Sequence, residues 1–352
     1  MKHAQVGGVP SLDSTSAEMH FDDAGDLVGL ISGAVMCQAI CCAVELGVAD
    51  RLSSGAASAE ELARQLACHA PSLRRLMQAL VSVGVCEEDE DGTFVLTRKG
   101  LLLQAQNCGS LRSWILWYGR RQWLHWGKLD HSVRTGESAR GRIGFGHLEC
   151  DPDTADDFNR AMCDLTTFVA AAILRAYDFA DATRIVDVGG GYGTLLGAIL
   201  VAHPRLTGIV YDRAHAAEGA KALFGAMRLA HRCEFVAGDF FASLPRDADT
   251  YLLKSILHDW SDGAGAEILR NCRAAIPANG RLLIVERVMP EHGDNSPMYQ
   301  AVVQSDLNML VGPGGRERTQ AEYRALLEGT GFQLVRILPA DLGYSLLVAT
   351  PA

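Results

Sequence analysis

The sequence lacks any pair of cysteines in the C-x-x-C spacing that zinc sites and redox motifs use, although it contains 10 cysteines among 352 residues. The cysteines are scattered or adjacent, as in Cys41-Cys42, which argues against a structural zinc site or a disulfide framework. Residues 1–26 lack the basic start and apolar core of a secretion signal. These absences favour a reducing compartment, and we expect a cytoplasmic protein.

The sequence also lacks an excess of positive charge. It has 32 Lys and Arg against 42 Asp and Glu, and its formal net charge is −10. Phosphate contacts require cations, so this balance argues against nucleic acid as the main partner. The chain is 48% hydrophobic and 21% charged, which is typical of a globular protein, and it is long enough for two or three domains.

A single apolar run, residues 27–48, is long enough to suggest a membrane span. Gln38 and Glu45 interrupt this run, and it contains three glycines. We therefore interpret it as a buried helix or helix pair at a subunit interface, and we expect no membrane association.

The hydrophobic patterns divide the chain into four segments: a flexible tail (1–25), a helical unit (26–105), a second helical segment (106–176) and an α/β domain (177–352). In the first unit, Ser58 and Glu61 form a capping-box pattern at a helix start, and Pro71 lies where another helix would begin. A short hairpin with the acidic turn Glu87–Gly92 follows. Two helices and a hairpin are a winged-helix pattern, but an acidic wing makes dimerisation a better interpretation than DNA binding.

The segment 106–176 contains four of the 5 tryptophans, namely Trp114, Trp117, Trp123 and Trp126. Such rings at helical spacing either pack a helical core or bind a flat aromatic ligand. The sequence favours neither interpretation over the other.

The segment 177–352 alternates strand and helix patterns. We expect strands at Arg184–Val188, Gly208–Tyr211, Cys233–Ala237, Thr250–Lys254, Arg281–Glu286, Phe332–Leu338 and Tyr344–Thr350. Repeated β-α-β units predict a mostly parallel, doubly wound sheet, with the last two strands as an antiparallel hairpin at an edge. Ligands bind at the carboxyl ends of such strands, where Asp187, Asp212, Asp239 and Lys254 fall.

A glycine-rich turn follows the first of these strands. Asp187 is followed by Gly189, Gly191 and Gly193, the pattern acid-x-G-x-G-x-G. The dinucleotide fingerprint G-x-G-x-x-G fails, because its third glycine would fall on Thr194 or Leu196. Glycines allow close backbone approach to a ligand, and the following helix offers free N–H groups. A nucleoside-containing cofactor is therefore expected, with Asp212 placed to accept hydrogen bonds from ribose hydroxyls.

The remaining strand ends carry further candidates. Asp239 and Phe240 suit an adenine, since the carboxylate can accept from the exocyclic amine and the ring can stack. His258 follows the fourth strand, where an imidazole can take a proton from a hydroxyl group. Glu286 and Glu317 are candidates to orient that ring, whereas Asp259, adjacent in sequence, is less suited to reach back to it.

Several of these motifs together resemble the S-adenosylmethionine (SAM)-dependent small-molecule O-methyltransferases, a family that includes plant caffeate-type enzymes, acetylserotonin methyltransferase and bacterial antibiotic and phenazine methyltransferases. The resemblance extends from about Asp26 to the C-terminus. The matching stretches are Asp187–Gly193, Gly238–Phe241, Leu257–Asp262, Gly314–Thr319, Ser132–Gly136 and Phe158–Met162.

This resemblance implies a fold and a set of roles. The fold is a C-terminal Rossmann-like class I methyltransferase domain with an N-terminal winged-helix-like dimerisation domain, assembled as a homodimer. The residues implied at the SAM site are Asp187, Gly189, Gly191, Asp212, Asp239, Phe240, Lys254 and Trp260. His258 would be the general base, assisted by Glu286 and Glu317. The aromatic acceptor would meet Trp117, Phe158, Met162, Asp306, Asn308 and Met309.

The implied reaction is an in-line transfer of the SAM methyl group to an aromatic, possibly polycyclic, hydroxyl in secondary metabolism, which yields S-adenosylhomocysteine (SAH) and requires no metal. N-methylation of a nitrogen heterocycle and a diverged SAM-binding enzyme or regulator stay open as alternatives. The glycine spacing disfavours a nicotinamide oxidoreductase.

Overall fold

The computed structural model describes residues 21–107, 109–141 and 145–352. Most of the expected tail therefore lies outside the described residues. The first helix begins at Phe21, so residues 21–25, which were assigned to the tail, start that helix.

Thirteen α-helices occur in the described part of the chain. They are α1 (Phe21–Leu46), α2 (Val48–Leu52), α3 (Ala59–Leu66), α4 (Ala70–Ser82), α5 (Arg112–Leu116), α6 (Trp123–Trp126), α7 (Leu129–Thr135), α8 (Pro152–Ala176), α9 (Thr194–Ala202), α10 (Ala217–Ala226), α11 (Asp262–Ala275), α12 (Pro297–Val311) and α13 (Gln320–Glu328). The strands are β1 (Ala57–Ser58), β2 (Cys86–Glu88), β3 (Thr93–Leu96), β4 (Arg184–Val188), β5 (Thr207–Asp212), β6 (Cys233–Ala237), β7 (Thr250–Lys254), β8 (Arg281–Met289), β9 (Arg318–Thr319), β10 (Phe332–Pro339) and β11 (Tyr344–Pro351).

The N-terminal unit packs α1–α4 against a small antiparallel sheet of order β1-β3-β2. The expected capping box starts α3: the Ser58 hydroxyl accepts from the Glu61 N–H at 3.2 Å, and the Glu61 carboxylate accepts from the Ser58 N–H at 2.9 Å. Leu62, Met77 and Phe94 are fully buried in its core. The winged-helix-like arrangement is confirmed.

The C-terminal domain is the expected doubly wound α/β domain. Its strands run in the order β6-β5-β4-β7-β8-β11-β10, and β9 pairs with β8. The strands from β6 to β8 are parallel, whereas β11 runs antiparallel to both β8 and β10. Separate apolar clusters cover the two faces of the sheet. The strand order reverses beside β4, which leaves a crevice at its carboxyl end.

The tryptophan-rich segment connects the two units. A π-helical turn, Trp117–Gln122, joins α5 to α6. The Asp164 carboxylate on α8 accepts from the N–H groups of Ser113 and Trp114 at 2.6 and 3.1 Å, which ties the start of α5 to α8. On the other side, Arg120 donates to Gln38 on α1 at 2.6 Å. The segment is thereby held between α1 and α8.

The first half of α1 presents an uncovered apolar face. The exposed side chains there are Leu27, Val28, Leu30, Ile31 and Val35, each more than half exposed. By length and composition this helix could cross a membrane, and 17% of its most apolar window is buried. Burial of this face by another surface would be favourable.

The N-terminal core generates a stability prediction. Leu62→Ala should lower the free energy of unfolding of this unit by about 2–5 kcal/mol, because a fully buried leucine leaves a cavity. Leu101→Ala, at a side chain that is 41% exposed, is the matched control and should change it by less than about 1 kcal/mol. Urea denaturation, monitored by hydrogen exchange of backbone amides in the N-terminal unit, would measure the free energy of unfolding of both variants. Equal effects of the two variants would contradict the core assignment.

Candidate active site

A cavity of about 260 Å³ lies at the carboxyl edge of the sheet, at the crevice beside β4. The residues expected to bind a nucleoside cofactor come together there. The cavity is lined by Asp187, Gly189, Gly191, Asp212, Asp239, Phe240, Lys254 and Trp260. They arrive from four neighbouring strand ends because parallel strands place their carboxyl ends on one edge.

The glycine turn shapes the floor of this first cavity. Gly189, Gly191 and Gly193 all have positive φ, at 70°, 58° and 82°, and Gly193 precedes the first turn of α9. A Cβ at Gly189 would lie 2.4 Å from the Ile256 side chain. The sequence therefore needs glycine here for both conformation and space.

Two acids flank the turn. Asp212 accepts from the N–H groups of Gly191 and Arg213, both at 2.6 Å, through different carboxylate oxygens. Burial raises the pKa of Asp212 in spite of these bonds. Burial also raises the pKa of Asp187 to about 7, although Lys254 opposes the shift. Buried carboxylates with spare lone pairs suit hydroxyl and ammonium donors of a ligand.

Aromatic rings form one wall. Trp260 meets Phe240 and Phe241 edge-on, with ring centroids 6.1 and 4.8 Å apart. Asn271, which was not anticipated from the sequence, holds this loop by donating to the carbonyls of Phe240 and Phe241 at 2.8 Å each. The Asp239 carboxylate accepts from Arg213 at 2.9 Å, so an adenine amine would share that carboxylate with a cation.

A buried histidine with three carboxylates lies next to this cavity. His258 Nδ1 is 2.9 Å from Glu317 Oε1 and 3.3 Å from Glu286 Oε2. Asp259, which lines the first cavity, lies 3.6 Å from Nε2, so the structure places this acid closer to the ring than the sequence suggested. The Glu286 carboxylate also accepts from the N–H groups of Ile256 and Leu257 at 2.9 Å each. Both predicted acids thus meet one edge of the ring.

The charges around His258 decide its protonation. Burial by itself disfavours the imidazolium, but Glu286, Glu317 and Asp259 outweigh burial and raise the pKa of His258 to about 10. Burial raises the pKa of Asp259 to about 7, and the histidine opposes that shift. The surrounding carboxylates therefore favour the imidazolium form of His258.

Residues outside the predicted set hold the His258 loop in place. Arg318 is fully buried and donates to the carbonyls of Leu257 and Trp260 at 2.6 and 2.7 Å. A Cβ at Gly315 would lie 1.9 Å from the His258 carbonyl oxygen, so only glycine fits there. Arg318 and Gly315 both belong to the Gly314–Thr319 motif. The motif drew attention to this segment, but it did not predict these contacts.

The same cluster bears on metal binding. Among the described residues, ligand atoms of His258, Glu286 and Glu317 lie within 4.8 Å of one another, a spacing that could hold an ion. The 2.9 Å contact from Nδ1 to Glu317 is itself a hydrogen-bond distance, and a ring proton between these atoms accounts for the spacing.

The residues expected around an aromatic acceptor separate into two groups. Phe158 and Met162 line the first cavity. Trp117 is buried and meets Phe158 edge-on at 5.2 Å, behind the wall. On α12, Asp306 accepts from the Glu317 N–H at 2.8 Å, Asn308 accepts from Gln122 at 2.8 Å, and Met309 is buried. These two hydrogen bonds and the burial of Met309 place the α12 residues outside the wall of the first cavity.

A second, larger cavity of about 930 Å³ opens between α1, the tryptophan-rich segment, α8 and α12. The aromatic side chains in its wall are Trp114, Tyr118, Trp123 and Trp126. Ser305 also lines this cavity and donates to Glu317 at 2.6 Å. Glu317 in turn contacts His258. The second cavity therefore extends to the Glu317 side of the histidine cluster.

Comparison with known proteins agrees with this architecture. Residues 126–333 match the O-methyltransferase domain family, and residues 28–104 match the O-methyltransferase dimerisation domain family. The chain is 39% identical to the phenazine O-methyltransferase PhzM of Lysobacter antibioticus, over 92% of this chain and 95% of that protein.

Two solved structures extend the comparison. The crystal structure of LaPhzM superposes with a TM-score of 0.87 at 38% identity, covering 94% of this chain and 99% of that one. An O-methyltransferase from neocarzinostatin biosynthesis, solved with SAM and 2-hydroxy-5-methyl naphthoic acid, has a TM-score of 0.71 at 34% identity, covering 90% of this chain and 96% of that one.

The histidine cluster generates a titration prediction. Glu317→Gln should lower the pKa of His258 from about 10, because it removes one of the carboxylates that stabilise the imidazolium. NMR of the imidazole nitrogens across a pH series would measure the shift. Glu328→Gln, at an exposed acid at the end of α13, is the control and should leave that titration unchanged. An unaltered pKa in Glu317→Gln would show that this carboxylate does not set the charge of the ring.

Proposed function

This chain belongs to the SAM-dependent small-molecule O-methyltransferase family, and we propose that its buried His258 is the base that takes the proton of the acceptor hydroxyl. The enzyme methylates an aromatic secondary metabolite, as the named relatives do. The observation that carries the proposal is the imidazole tied to Glu317 at 2.9 Å, immediately beside the glycine-lined cavity.

The first cavity fits SAM. Glycine backbone approaches the ligand where a Cβ would collide with Ile256, and the Asp212 carboxylate keeps lone pairs for ribose hydroxyls. We assign Phe240 and Trp260 to the adenine ring, and Asp187 and Lys254 to the charged amino-acid end. When bound, SAM supplies an electrophilic methyl group on a sulfonium centre.

The histidine performs its task through its two nitrogens. Glu317 accepts the Nδ1 proton, which fixes the tautomer and leaves Nε2 to receive a proton from the acceptor. Glu286 is held by backbone N–H groups, and we propose that it stabilises the imidazolium that results. Phe158 and Met162 would hold the acceptor ring against this edge, so that orientation contributes alongside proton removal.

The raised pKa of His258 has a kinetic consequence. Because the free enzyme carries its proton up to a pH of about 10, the fraction of neutral base grows as the pH rises. A weakly acidic phenol should therefore show a kcat/KM that rises with pH towards that value. An acceptor already ionised at neutral pH would need the base less.

The test measures product mass with SAM and a panel of phenolic, quinone and phenazine acceptors. His258→Ala should lower the rate of O-methylation at least about 100-fold, because general-base catalysis contributes that much. His231→Ala, at an exposed histidine, is the matched control and should retain the rate. Glu317→Gln should move the rising limb of the pH profile to lower pH.

Two results would count against this assignment. Full O-methylation by His258→Ala would show that the histidine only shapes the site. A product methylated on nitrogen, insensitive to His258→Ala, would favour the N-methyltransferase alternative.

The dimerisation-domain match supports a homodimer, and we propose that residues 26–105 form it through the exposed face of α1. We propose further that residues 106–176 border the acceptor and that residues 177–352 bind SAM.

Ile31→Asp should convert the dimer to a monomer, because it places a charge in an apolar interface, and light scattering after gel filtration would measure the mass. Val201→Asp, at an isolated exposed valine on α9, is the control and should remain dimeric. A wild-type chain that is monomeric and sediments with lipid vesicles would show that a bilayer covers this face.

A further inference from the structure

We propose that the acceptor carries a carboxylate or an equivalent anionic group, and that Arg287 binds this group inside the second cavity. The inference rests on the proposed function, because it names the chemical class of the molecule that the same enzyme methylates. The acceptor would be a flat aromatic acid with a separate hydroxyl group.

The walls of the second cavity select a flat ring. Trp114 and Tyr118 stack with centroids 4.4 Å apart and an interplanar angle of 30°. Trp123 and Trp126 line the cavity beside them, and Met298 and Leu342 contribute further apolar surface. Large rigid aromatic side chains of this kind favour planar ligands through stacking and apolar burial.

The only Asp, Glu, Lys, Arg or His among the described lining residues of this cavity is Arg287. Its Nε is buried without a hydrogen-bond partner, and its Nη1 reaches Ser305 at 3.3 Å, a long contact. Its guanidinium lies 4.2 Å from the ring centroid of Tyr344, which supports one face of the group. A half-buried guanidinium with a spare Nε donor matches the geometry of a carboxylate.

A chain of polar contacts connects Arg287 to the histidine cluster. Arg287 contacts Ser305, Ser305 donates to Glu317 at 2.6 Å, and Glu317 meets His258 at 2.9 Å. The guanidinium and the imidazole are therefore linked through two intervening side chains. Because this relay ends on Nδ1, an acceptor whose carboxylate meets Arg287 must extend past Glu317 to bring its hydroxyl to Nε2 of His258.

The two cavities are lined by neighbouring residues, although no described residue lines both. On α8, Met162 lines the first cavity and Leu165, one turn further, lines the second. On the opposite side, Ser255 of the first cavity lies 3.5 Å from the Tyr344 hydroxyl, beneath Arg287. A ligand spanning the two would approach both the cofactor cavity and the arginine.

A structural role is the competing explanation for Arg287. Its stacking on Tyr344 joins neighbouring strands β8 and β11, which would stabilise the sheet whatever the ligand. The two explanations differ in their dependence on ligand charge. A structural arginine affects anionic and neutral ligands equally, whereas an anion-binding arginine affects only the former.

The experiment measures dissociation constants by calorimetry for 6-hydroxy-2-naphthoate and its neutral methyl ester, with the protein saturated by SAH so that no turnover occurs. The wild type should bind the acid at least about tenfold more tightly than the ester, the size expected of a charge-assisted hydrogen bond. Arg287→Met should abolish this preference and leave ester binding within about threefold. Arg287→Lys should retain part of it.

Arg336→Met is the matched control, since Arg336 also lies over a tyrosine ring, Tyr177, at 5.5 Å, but lines neither cavity. It should keep the wild-type preference. SAH affinity, measured in each variant, reports whether the cofactor cavity is intact.

A wild type without preference for the acid overturns the proposal, whatever the variants do. So does an equal loss of acid and ester binding in Arg287→Met with SAH affinity preserved. If Arg287→Met fails to fold, Arg287→Lys and the wild-type preference decide the question. An arginine-dependent preference in a protein that methylates no acceptor would sustain the anion site and overturn the proposed function instead.

Discussion

The structure depends on the burial of an imidazole among three carboxylates. Charges removed from water are costly unless each is paired and hydrogen-bonded, and His258 with Glu286, Glu317 and Asp259 is almost completely buried. The fold meets this cost with a shell of donors: backbone N–H groups on Glu286, the Ser305 hydroxyl on Glu317, and Arg318 on the carbonyls of the same loop. The short Pro-Gly-Gly segment before Arg316 can lie against that loop only because Gly315 has no side chain. Much of the region around β7, β8 and α12 serves to hold this one ring.

The sheet topology then determines which cavities lie next to the His258 imidazole. Because β4 and β7 are parallel neighbours, the glycine turn and the His258 loop lie on the same edge of the sheet, at the crevice where the strand order reverses. The first cavity and His258, the base that we propose, therefore meet without any long insertion. On the remaining side the helices of residues 106–176 supply the aromatic walls, and α1 completes the second cavity with Gly33, Ala34 and Cys37. Since α1 also exposes the apolar face that we propose forms the dimer, the proposed interface and the wall of the second cavity share a single helix.

The electrostatics of the two cavities differ in a way that suits a transfer between unlike molecules. The first cavity is lined by the buried Asp187 and the half-buried Asp212, which favour hydroxyl and cationic groups. The second contains Arg287 and no acid among its described lining residues, which favours an anion. The histidine cluster lies between them and is linked to the second through Ser305. A cationic donor and an anionic acceptor would thus each find a complementary surface, with the proton acceptor between them.

The sequence by itself determined the features that depend on local chemistry. Alternating apolar runs located β4, β6 and β7 to the residue, Ser58 and Glu61 marked a helix start, and the glycine spacing separated a SAM site from a dinucleotide site. Motif order was enough to indicate the family and to select His258, Glu286 and Glu317 as a group. Only the tertiary structure decided which contacts these groups make, because they arise between residues far apart in the chain. It brought Asp259 to the other ring nitrogen, moved Trp117 behind the cavity wall, and gave Arg318, Asn271 and Ser305 supporting roles. The placement of Arg287 against an aromatic cavity depends on how β8 packs against α12 and on where α5 and α6 lie across the cavity, and no local pattern encodes such packing.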